Sequence, residues 1–373
     1  MFKKSIKIIY RKIIYFIFFI IYSKIQIASK NNKLINSLYI IKKIKLNKKI
    51  YNIFKIVNGR IYTNTIDHTA YICDNQLLSS PSFQYKNSKN TNIKNNIVLK
   101  IGTPRLLKKI KGSVFSLLSG GAANHNYGHW LTDVLPRIFL LGKFYSLKKV
   151  NFFLLPNYKF SFQKDTLEIL GIRKNKIINS QNNHHIQADE IYATSHPCEH
   201  DPEKITNWNI QFLRDIFLKK INLKNKYNYE RIYLDRGEYS LLNIKNIKNI
   251  KNYRIILNEQ KVKNYLKSLN FKIIKPQDLQ FIDQVNLFYN AKCIVSLYGA
   301  GLSNILFCKA NTKVIEIKTI KSGNEFKKIS DLCKLQHYQI SLKPILKSVI
   351  PQNGLINCPI FKIEKALKFL KIL

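Results

Sequence analysis

The apolar residues of this chain occur in short runs separated by polar residues, and the pattern of these runs predicts a mixed α/β protein. Over residues 34–107 the runs are broken by Asn, Asp, Ser and Pro, which is typical of β-strands and loops. Beyond that region, helical and extended patterns follow one another. We predict helices at 131–147 (kinked at Pro136), 164–170 and 205–220, a strand at 150–155 and a loop at 184–203.

Strand and helix patterns alternate regularly in the C-terminal half. This alternation predicts a parallel, Rossmann-like sheet, because parallel strands need crossover connections that are usually helical. The predicted strands lie at 231–234, 272–274, 293–297 and 314–317. Residues 253–257 are expected to continue toward a helix at 259–269, and further helices are predicted at 281–290 and 364–373. The expected architecture is two Rossmann-like halves that face each other across a cleft.

The stretch 292–317, KCIVSLYGAGLSNILFCKANTKVIEI, has the most informative pattern in the chain. A strand, a Gly-Ala-Gly turn at 299–301 and a short helix that begins at Leu302 precede a second strand. In open α/β sheets ligands bind beyond the carboxyl ends of the strands. There, glycines let the backbone approach an anion and a helix N-terminus offers unpaired N–H donors. With Glu316 expected at the end of the next strand, facing ribose hydroxyls, the pattern favours a nucleotide site.

A second polar group lies in the segment NHNYGHWLTDVLPR at 124–137. His125, His129 and Asp133 are spaced four apart, so they share one face if the segment is helical. A zinc protease is not predicted, because Asn126 stands where HExxH has its Glu. Three interpretations stay open: a metal site, against which Gly128 argues as a helix breaker; a general base for an acceptor hydroxyl; and a structural His–Asp hydrogen bond.

Composition changes this picture little. The 373 residues carry a formal net charge of +42, and 46% are hydrophobic, which is enough for a large core. Lys is spread along the whole chain beside abundant Ile and Asn, which indicates coding bias, and Arg is scarce. We therefore expect no specific nucleic-acid partner, although the basic surface favours phosphorylated substrates and anionic membranes. Six scattered cysteines without a CxxC pair indicate a reducing compartment.

The N-terminal segment 1–30 has a basic flank followed by an apolar run at 13–22. The run is too short to cross a bilayer as a helix, which takes about 20 residues. It suits a signal-peptide core, but no small-x-small cleavage site follows. Interfacial contact with an anionic membrane and a buried or frayed first helix are both open. We expect a cytoplasmic protein with peripheral contact at the inner membrane face.

The two polar segments together resemble glycosyltransferase family 61, which includes bacterial capsule-type and eukaryotic sugar transferases. NYGHWLTDVLPRIFLL and the downstream GAGLSNILF…VIEI both match, in the family's order. Between them, Arg236 in RIYLDRG, Arg254, Asn258 and Glu259 in RIILNEQKV, and Gln284 in FIDQVNLFYNA match further family positions. The resemblance covers residues 123–317.

The resemblance implies a GT-B fold and an inverting, metal-independent transfer of a sugar from a nucleotide sugar to a hydroxyl of a glycan or lipid-linked glycan. No D-x-D run is present that would bind a diphosphate-bound cation, and no metal and no cofactor beyond the donor substrate are expected. Asp133 or His129 is the expected catalytic base. The donor-site residues are expected to be Arg236, Asn258, Glu259, Tyr298, Gly299, Ala300, Gly301, Leu302, Asn304 and Glu316.

The resemblance also assigns roles to the domains. We expect an acceptor-side domain at 31–220, a Lys- and Asn-rich linker at 221–229, a nucleotide-sugar-binding domain at 230–345 and a C-terminal tail and helix at 346–373. A role in capsule or other cell-surface polysaccharide synthesis is implied.

One position departs from the family. The family has His directly before the glycine turn, and this chain has Tyr298, which can donate a hydrogen bond but carries no positive charge. A weak or inactive homologue that binds sugar nucleotides or glycans is the alternative. The loop HPCEHDPE at 196–203 is rich in metal ligands but lacks a recognised spacing, so we interpret it as an acceptor-side loop.

Overall fold

A computed structural model describes residues 2–29, 33–63, 68–86, 89–120, 126–221, 227–237, 253–348, 350 and 352–373. The chain divides into two compact units, Met1–Lys204 and Ile205–Leu373. The helix after residue 205 therefore belongs to the second unit, although the predicted acceptor-side domain extends to residue 220. Part of the predicted linker, 222–226, lies outside the described residues, and the functional domain limits stay a prediction.

The first unit is built on a mixed sheet with helices around it. Its strands are β1 Gln26–Ile27, β2 Tyr39–Leu46, β3 Lys49–Val57, β4 Arg60–Tyr62, β5 Ala70–Cys73, β6 Gln76–Leu77, β7 Tyr85–Lys86, β8 Lys89–Asn90, β9 Lys108–Ser116, β10 Phe152–Leu155, β11 Ile177–Asn179 and β12 His185–Thr194. Its helices are α1 Phe2–Tyr22, α2 Lys33–Leu38, α3 Val98–Ile101, α4 Tyr127–His129, α5 Leu135–Gly142 and α6 Ser161–Ile169.

The order of the main sheet is β1-β6-β5-β4-β12-β9-β10-β11, with β3 paired to β12 and β2 paired to β3. Strands β9, β10, β11 and β12 pair in parallel, whereas β12 is antiparallel to β3 and β4. The sheet is thus mixed rather than the purely parallel sheet of a Rossmann-like half. The short connections between β2 and β6 explain this, because tight turns join antiparallel neighbours.

The predicted loop at 184–203 is wrong over its first half, which forms β12 in the middle of the sheet. Ile186 and Ala188 pack in the core, and so do Ile191 and Ala193. A bulge between Ala188 and Glu190 shifts the register by one residue. Because the bulge changes which positions face the core, the strand lacks the continuous alternation that marks a strand in a sequence.

The strands of the second unit are β13 Arg231–Leu234, β14 Arg254–Ile256, β15 Lys272–Ile274, β16 Cys293–Leu297, β17 Lys313–Thr319, β18 Gln336–Leu342, β19 Leu346–Lys347 and β20 Gly354–Ile356. Five of them form a sheet in the order β15-β13-β16-β17-β18, and all its pairs are parallel, as the alternating pattern predicts. The helices are α7 Asn207–Phe217, α8 Glu259–Ser268, α9 Phe281–Asn290, α10 Glu325–Leu332 and α11 Ile360–Phe369. The α/β class is confirmed.

The N-terminal helix α1 exposes apolar side chains, among them Phe16, Phe19 and Ile20. Its last residue contacts the loop that precedes β9, since the Tyr22 hydroxyl accepts a hydrogen bond from the Leu107 N–H at 2.9 Å. Within the described part of the chain, no helix combines the length and the apolar character needed to cross a membrane.

Candidate functional site

The segment that contains His129 and Asp133 is helical from its start. Asn126 caps it, because its side-chain oxygen accepts from the N–H groups of Gly128 and His129 at 2.8 and 3.3 Å. Gly128 therefore lies inside the first turn and does not break the helix. The helix widens to a π-helical turn at Trp130–Val134, and Pro136 lies in the first turn of α5. His125 lies outside the described residues.

The Asp133 carboxylate is fully buried, and both of its oxygens have partners. Oδ2 lies 2.7 Å from His129 Nδ1. Oδ1 lies 3.0 Å from His196 Nδ1 and accepts from the Cys198 N–H at 3.2 Å. The structural hydrogen bond foreseen between His129 and Asp133 is present, and the loop after β12 supplies partners that the sequence did not suggest.

Charge on this buried carboxylate is favoured by its neighbours. Burial opposes ionisation of Asp133, but His196 and His129 outweigh it and lower the pKa of the carboxyl well below its usual range. Burial also lowers the pKa of His196, and it lowers the pKa of His200 to about 4. Because an ionised carboxylate only accepts hydrogen bonds, Nδ1 of His129 is the donor in this contact, and the neutral form of the ring then has its lone pair on Nε2.

A fourth polar residue, His200, completes what we call the His–Asp cluster (His129, Asp133, His196 and His200). The rings of His129 and His200 are 4.3 Å apart between centroids. Ligand atoms of His129, Asp133 and His200 all lie within 4.8 Å of one another. His200 has a positive φ of 59°, so a tight turn brings its ring back toward the helix. The interpretation of 196–203 as an acceptor-side loop did not include this contact.

Arg137, four residues after Asp133, has a structural role. Its side chain is fully buried, and its guanidinium donates to the Leu118 and Ser116 carbonyl oxygens at 2.7 and 2.9 Å. It also donates to Thr194 Oγ1 at 3.1 Å. These bonds fix α5 to the ends of β9 and β12, and so they position the His–Asp cluster.

In the second unit, two cations meet beside the glycine turn. Arg236 and Arg254 both direct Nη1 toward the Tyr298 carbonyl oxygen, at 3.5 and 3.3 Å. A Cβ atom on Gly299 would lie 1.5 Å from Arg236 Nη1. Gly299 is therefore required for space, and its extended backbone suits any residue. The expected anion site at this turn stays a prediction.

The Tyr298 hydroxyl is directed away from that position and donates to the Glu325 carboxylate. The Arg254 guanidinium lies over the Tyr298 ring, 5.0 Å from its centroid. Burial, followed by the nearby Glu325 charge, raises the pKa of the Tyr298 hydroxyl above its usual value. Tyr298 thus provides a platform for Arg254, a role that the sequence comparison did not suggest.

Glu316 lies in the middle of β17, so its expected position at the end of the strand is wrong. Its side chain is fully buried and contacts its neighbours on β18: Oε2 lies 3.0 Å from His337 Nε2 and accepts from Gln339 Nε2 at 2.8 Å. A Glu in a run of apolar residues gives no sign of the strand's end. Its expected contact with ribose stays a prediction.

Asn258 and Glu259, at the start of α8, make contacts within the unit. The Asn258 amide donates to the Cys358 carbonyl oxygen at 2.7 Å and accepts from the Cys358 N–H at 2.9 Å. Glu259 accepts from the Tyr233 hydroxyl at 2.8 Å and has Lys263 Nζ at 3.7 Å, and burial raises the pKa of this carboxyl. These contacts join α8 to the C-terminal segment and to β13.

The remaining expected donor-site residues lie on the 3₁₀ helix Ala300–Phe307. The Leu302 N–H donates to the Gly299 carbonyl oxygen at 2.9 Å and closes the turn. Ala300 and Gly301 are half-buried beside it. The Asn304 amide donates to Gln284 Oε1 at 2.9 Å and joins the turn to α9.

The arrangement is that of an α/β protein with a His–Asp cluster in one unit and an arginine-lined glycine turn in the other. Residues 127–315, a little over half of the chain, match the family Glycosyltransferase 61, and the chain belongs to that family. The "EGF domain-specific O-linked N-acetylglucosamine transferase" of Mus musculus is 31% identical over 108 residues. The match covers 27% of this chain and about a fifth (20%) of that curated relative's length. The recognition of the family from its motifs is confirmed.

Proposed function

We propose that this chain is an inverting, metal-independent glycosyltransferase of the GT-B type. It transfers a sugar from a nucleotide sugar to a hydroxyl group of a glycan or lipid-linked glycan acceptor. The observation that carries the proposal is the contact between His129 and Asp133, inside the region that matches the family. A buried, ionised carboxylate that orients a partly exposed imidazole is an arrangement suited to accept a proton from a hydroxyl group.

In the proposed reaction, the acceptor oxygen attacks the anomeric carbon of the donor sugar on the face opposite the diphosphate. Its proton passes to Nε2 of His129, while Asp133 stabilises the imidazolium that forms. The bond between the anomeric carbon and the diphosphate oxygen breaks, and the nucleoside diphosphate leaves with the electron pair. The single displacement inverts the configuration at that carbon.

We assign the stabilisation of the departing diphosphate to residues of the second unit. Arg236 and Arg254 converge beside Gly299, where the absence of a side chain gives space for a close approach. Guanidinium groups form strong, paired hydrogen bonds with phosphate oxygens. The lack of a D-x-D run in the sequence supports the assignment of this task to the two arginines instead of a cation.

A non-catalytic homologue that binds sugar nucleotides or glycans is the second candidate. The observation that favours it is Tyr298, where the family has His, with its hydroxyl bonded to Glu325. Arg254 over the ring supplies the positive charge that Tyr298 itself lacks. The arrangement of Arg254 therefore supports the catalytic proposal over this alternative.

We propose that the protein is cytoplasmic and makes peripheral contact with the inner face of the membrane. We further propose that it acts in the synthesis of a capsule-type or other cell-surface polysaccharide. The exposed apolar side chains of α1 and the basic composition support membrane contact. Removal of residues 1–30 should release the protein from anionic vesicles in a sedimentation assay. Unchanged sedimentation would contradict the membrane contact and leave the transfer reaction unaffected.

The function is tested first with a thermal-shift screen against UDP-, GDP-, CMP- and dTDP-sugars, because a bound donor stabilises the protein by mass action. The donor that shifts Tm is then used in transfer assays with and without EDTA. Replacement of Asp133 by Asn should abolish transfer and preserve the donor-induced shift. Full transfer by Asp133→Asn would remove the carboxylate from the mechanism, and donor binding without transfer by the unaltered chain would favour the second candidate.

A further inference from the structure

We propose that His129, Asp133 and His200 bind a divalent transition-metal ion of the Zn²⁺ type, and that the bound ion inhibits sugar transfer. The inhibitory part rests on the proposed function, since it assigns a second use to the proposed base. His129 and Asp133 come from the helical segment that begins at Tyr127, and His200 comes from the loop after β12. Neither segment by itself contains a recognised set of metal ligands in the sequence.

The first step of the argument is the position of the ligand atoms. One atom from each of the three residues lies within 4.8 Å of the other two. Zn–N and Zn–O bonds of about 2.0–2.2 Å place tetrahedral ligands roughly 3.3 Å apart. Side-chain movements of about 1 Å would therefore close the site. His129 and His200 are half-buried, so an ion can reach the cluster.

The second step is the continuity of the helix. In the sequence alone, Gly128 argues against a metal site, because a break of the helix at this residue would separate the ligands on either side of it. The Asn126 cap and the turn that follows keep His129 and Asp133 on one helical face, with 2.7 Å between Nδ1 and Oδ2. This objection to a metal ion is thereby removed.

The third step is the support of the carboxylate by groups that are not ligands. The Cys198 N–H and His196 Nδ1 both contact Oδ1 of Asp133, at 3.2 and 3.0 Å. Such outer contacts orient a ligand before the ion arrives. Two imidazoles and one carboxylate favour Zn²⁺, Co²⁺ or Ni²⁺, whereas Mg²⁺ and Ca²⁺ prefer oxygen ligands alone.

The consequence for transfer follows from the chemistry of His129. An ion on Nε2 takes the lone pair that would accept the proton. An ion on Nδ1 displaces the Asp133 contact that orients the ring. In either case the imidazole is no longer an oriented base, so an occupied site is inactive while the empty site transfers sugar without a metal.

The experiment titrates the purified 373-residue chain with Zn²⁺ by calorimetry and with Co²⁺ by visible absorption. The variant is His200→Asn, because Asn tolerates the left-handed backbone at this position (φ 59°) and lacks the imidazole. The matched control is His184→Asn, which removes an imidazole that lies on the Thr63 carbonyl oxygen. Thermal melting without metal verifies that both variants fold.

We expect one saturable site in the wild type and in His184→Asn, with tetrahedral-type Co²⁺ bands, and at least about tenfold weaker binding in His200→Asn. Zn²⁺ should inhibit transfer by the wild type, reversibly with EDTA, and should inhibit His200→Asn much less. Equal affinity of the wild type and His200→Asn, or binding without inhibition, would overturn the proposal. Because the titrations need no sugar donor, binding that persists in a chain without transfer activity would count against the proposed function alone.

Discussion

The Nδ1 atom of His129 lies 2.7 Å from the Oδ2 atom of Asp133, and this contact separates the roles of the two expected catalytic residues. Asp133 is fully buried and both of its oxygens are engaged, whereas the His129 side chain is 14% exposed. The carboxylate is therefore suited to orient and to stabilise charge. The imidazole is the more exposed of the two groups, and we therefore propose it as the base that contacts the substrate hydroxyl.

We accordingly expect His129→Gln to lower kcat by about 10²- to 10⁴-fold, the usual contribution of a positioned general base. The donor KM should change little, because the arginine-lined turn is unaltered. The matched control is His184→Gln, in a loop of the same unit. Steady-state kinetics with the donor found by thermal shift make the comparison, and near-wild-type kcat in His129→Gln would exclude the imidazole as base.

Gly299 offers a test of the donor site. A Cβ at this position meets Arg236 Nη1 at 1.5 Å, so Gly299→Ala must displace the guanidinium. We expect at least about tenfold weaker nucleotide binding by calorimetry, since charge-assisted bonds to phosphate contribute about 1.5–3 kcal/mol each.

The control for that variant lies outside the glycine turn. At Gly142, the last residue of α5, a new Cβ would have only Leu147 Cδ1 near it, at an ordinary contact distance of 3.9 Å. Gly142→Ala should therefore bind nucleotide as the wild type does. If Gly299→Ala and Gly142→Ala bind equally well, Arg236 does not contact the donor.

Substitution of Tyr298 tests how the chain binds the donor without the histidine that the family has at this position. Because the hydroxyl donates to Glu325, Tyr298→Phe should leave the donor affinity close to that of the wild type and cost about 1–3 kcal/mol of stability through the loss of a hydrogen bond to a charged group. Calorimetry and urea unfolding measure the two effects. A collapse of donor affinity in Tyr298→Phe, with Glu325→Gln unchanged, would show instead that the hydroxyl contacts the phosphate.

The parallel sheet of the second unit could be predicted from sequence because its signals are local. The strand Cys293–Leu297 is a fully buried run that is apolar except at Ser296 and that a small-residue turn ends. Neighbouring strands are likewise apolar and have helices between them. Strand β12 could not be predicted in the same way, because the bulge after Ala188 moves the core face by one residue.

In the candidate site, too, local sequence signals could be interpreted and contacts between distant residues could not. The spacing of His129 and Asp133 is local and marked the segment, although it could not assign the roles. Contacts of Asp133 with His196 and Cys198 join positions more than sixty residues apart, and no local pattern reports them. The predicted position of Glu316 at the end of its strand is wrong for a related reason, since the partners of its side chain lie on the adjacent strand β18.

Arg137 shows how a residue of the family motif can act through the fold. Its guanidinium satisfies two backbone carbonyl oxygens and Thr194 in a fully buried position. We expect Arg137→Ala to cost at least about 3 kcal/mol in unfolding free energy, because it leaves a cavity and unpaired carbonyl groups. Arg137→Lys should recover part of this loss, since an ammonium keeps the charge but lacks the planar fork.

Urea unfolding measures the stability of both variants, with Arg173→Ala, at an exposed position, as the control. If Arg137→Ala matched Arg173→Ala in stability and still lost transfer activity, Arg137 would act on the substrate and not through the fold.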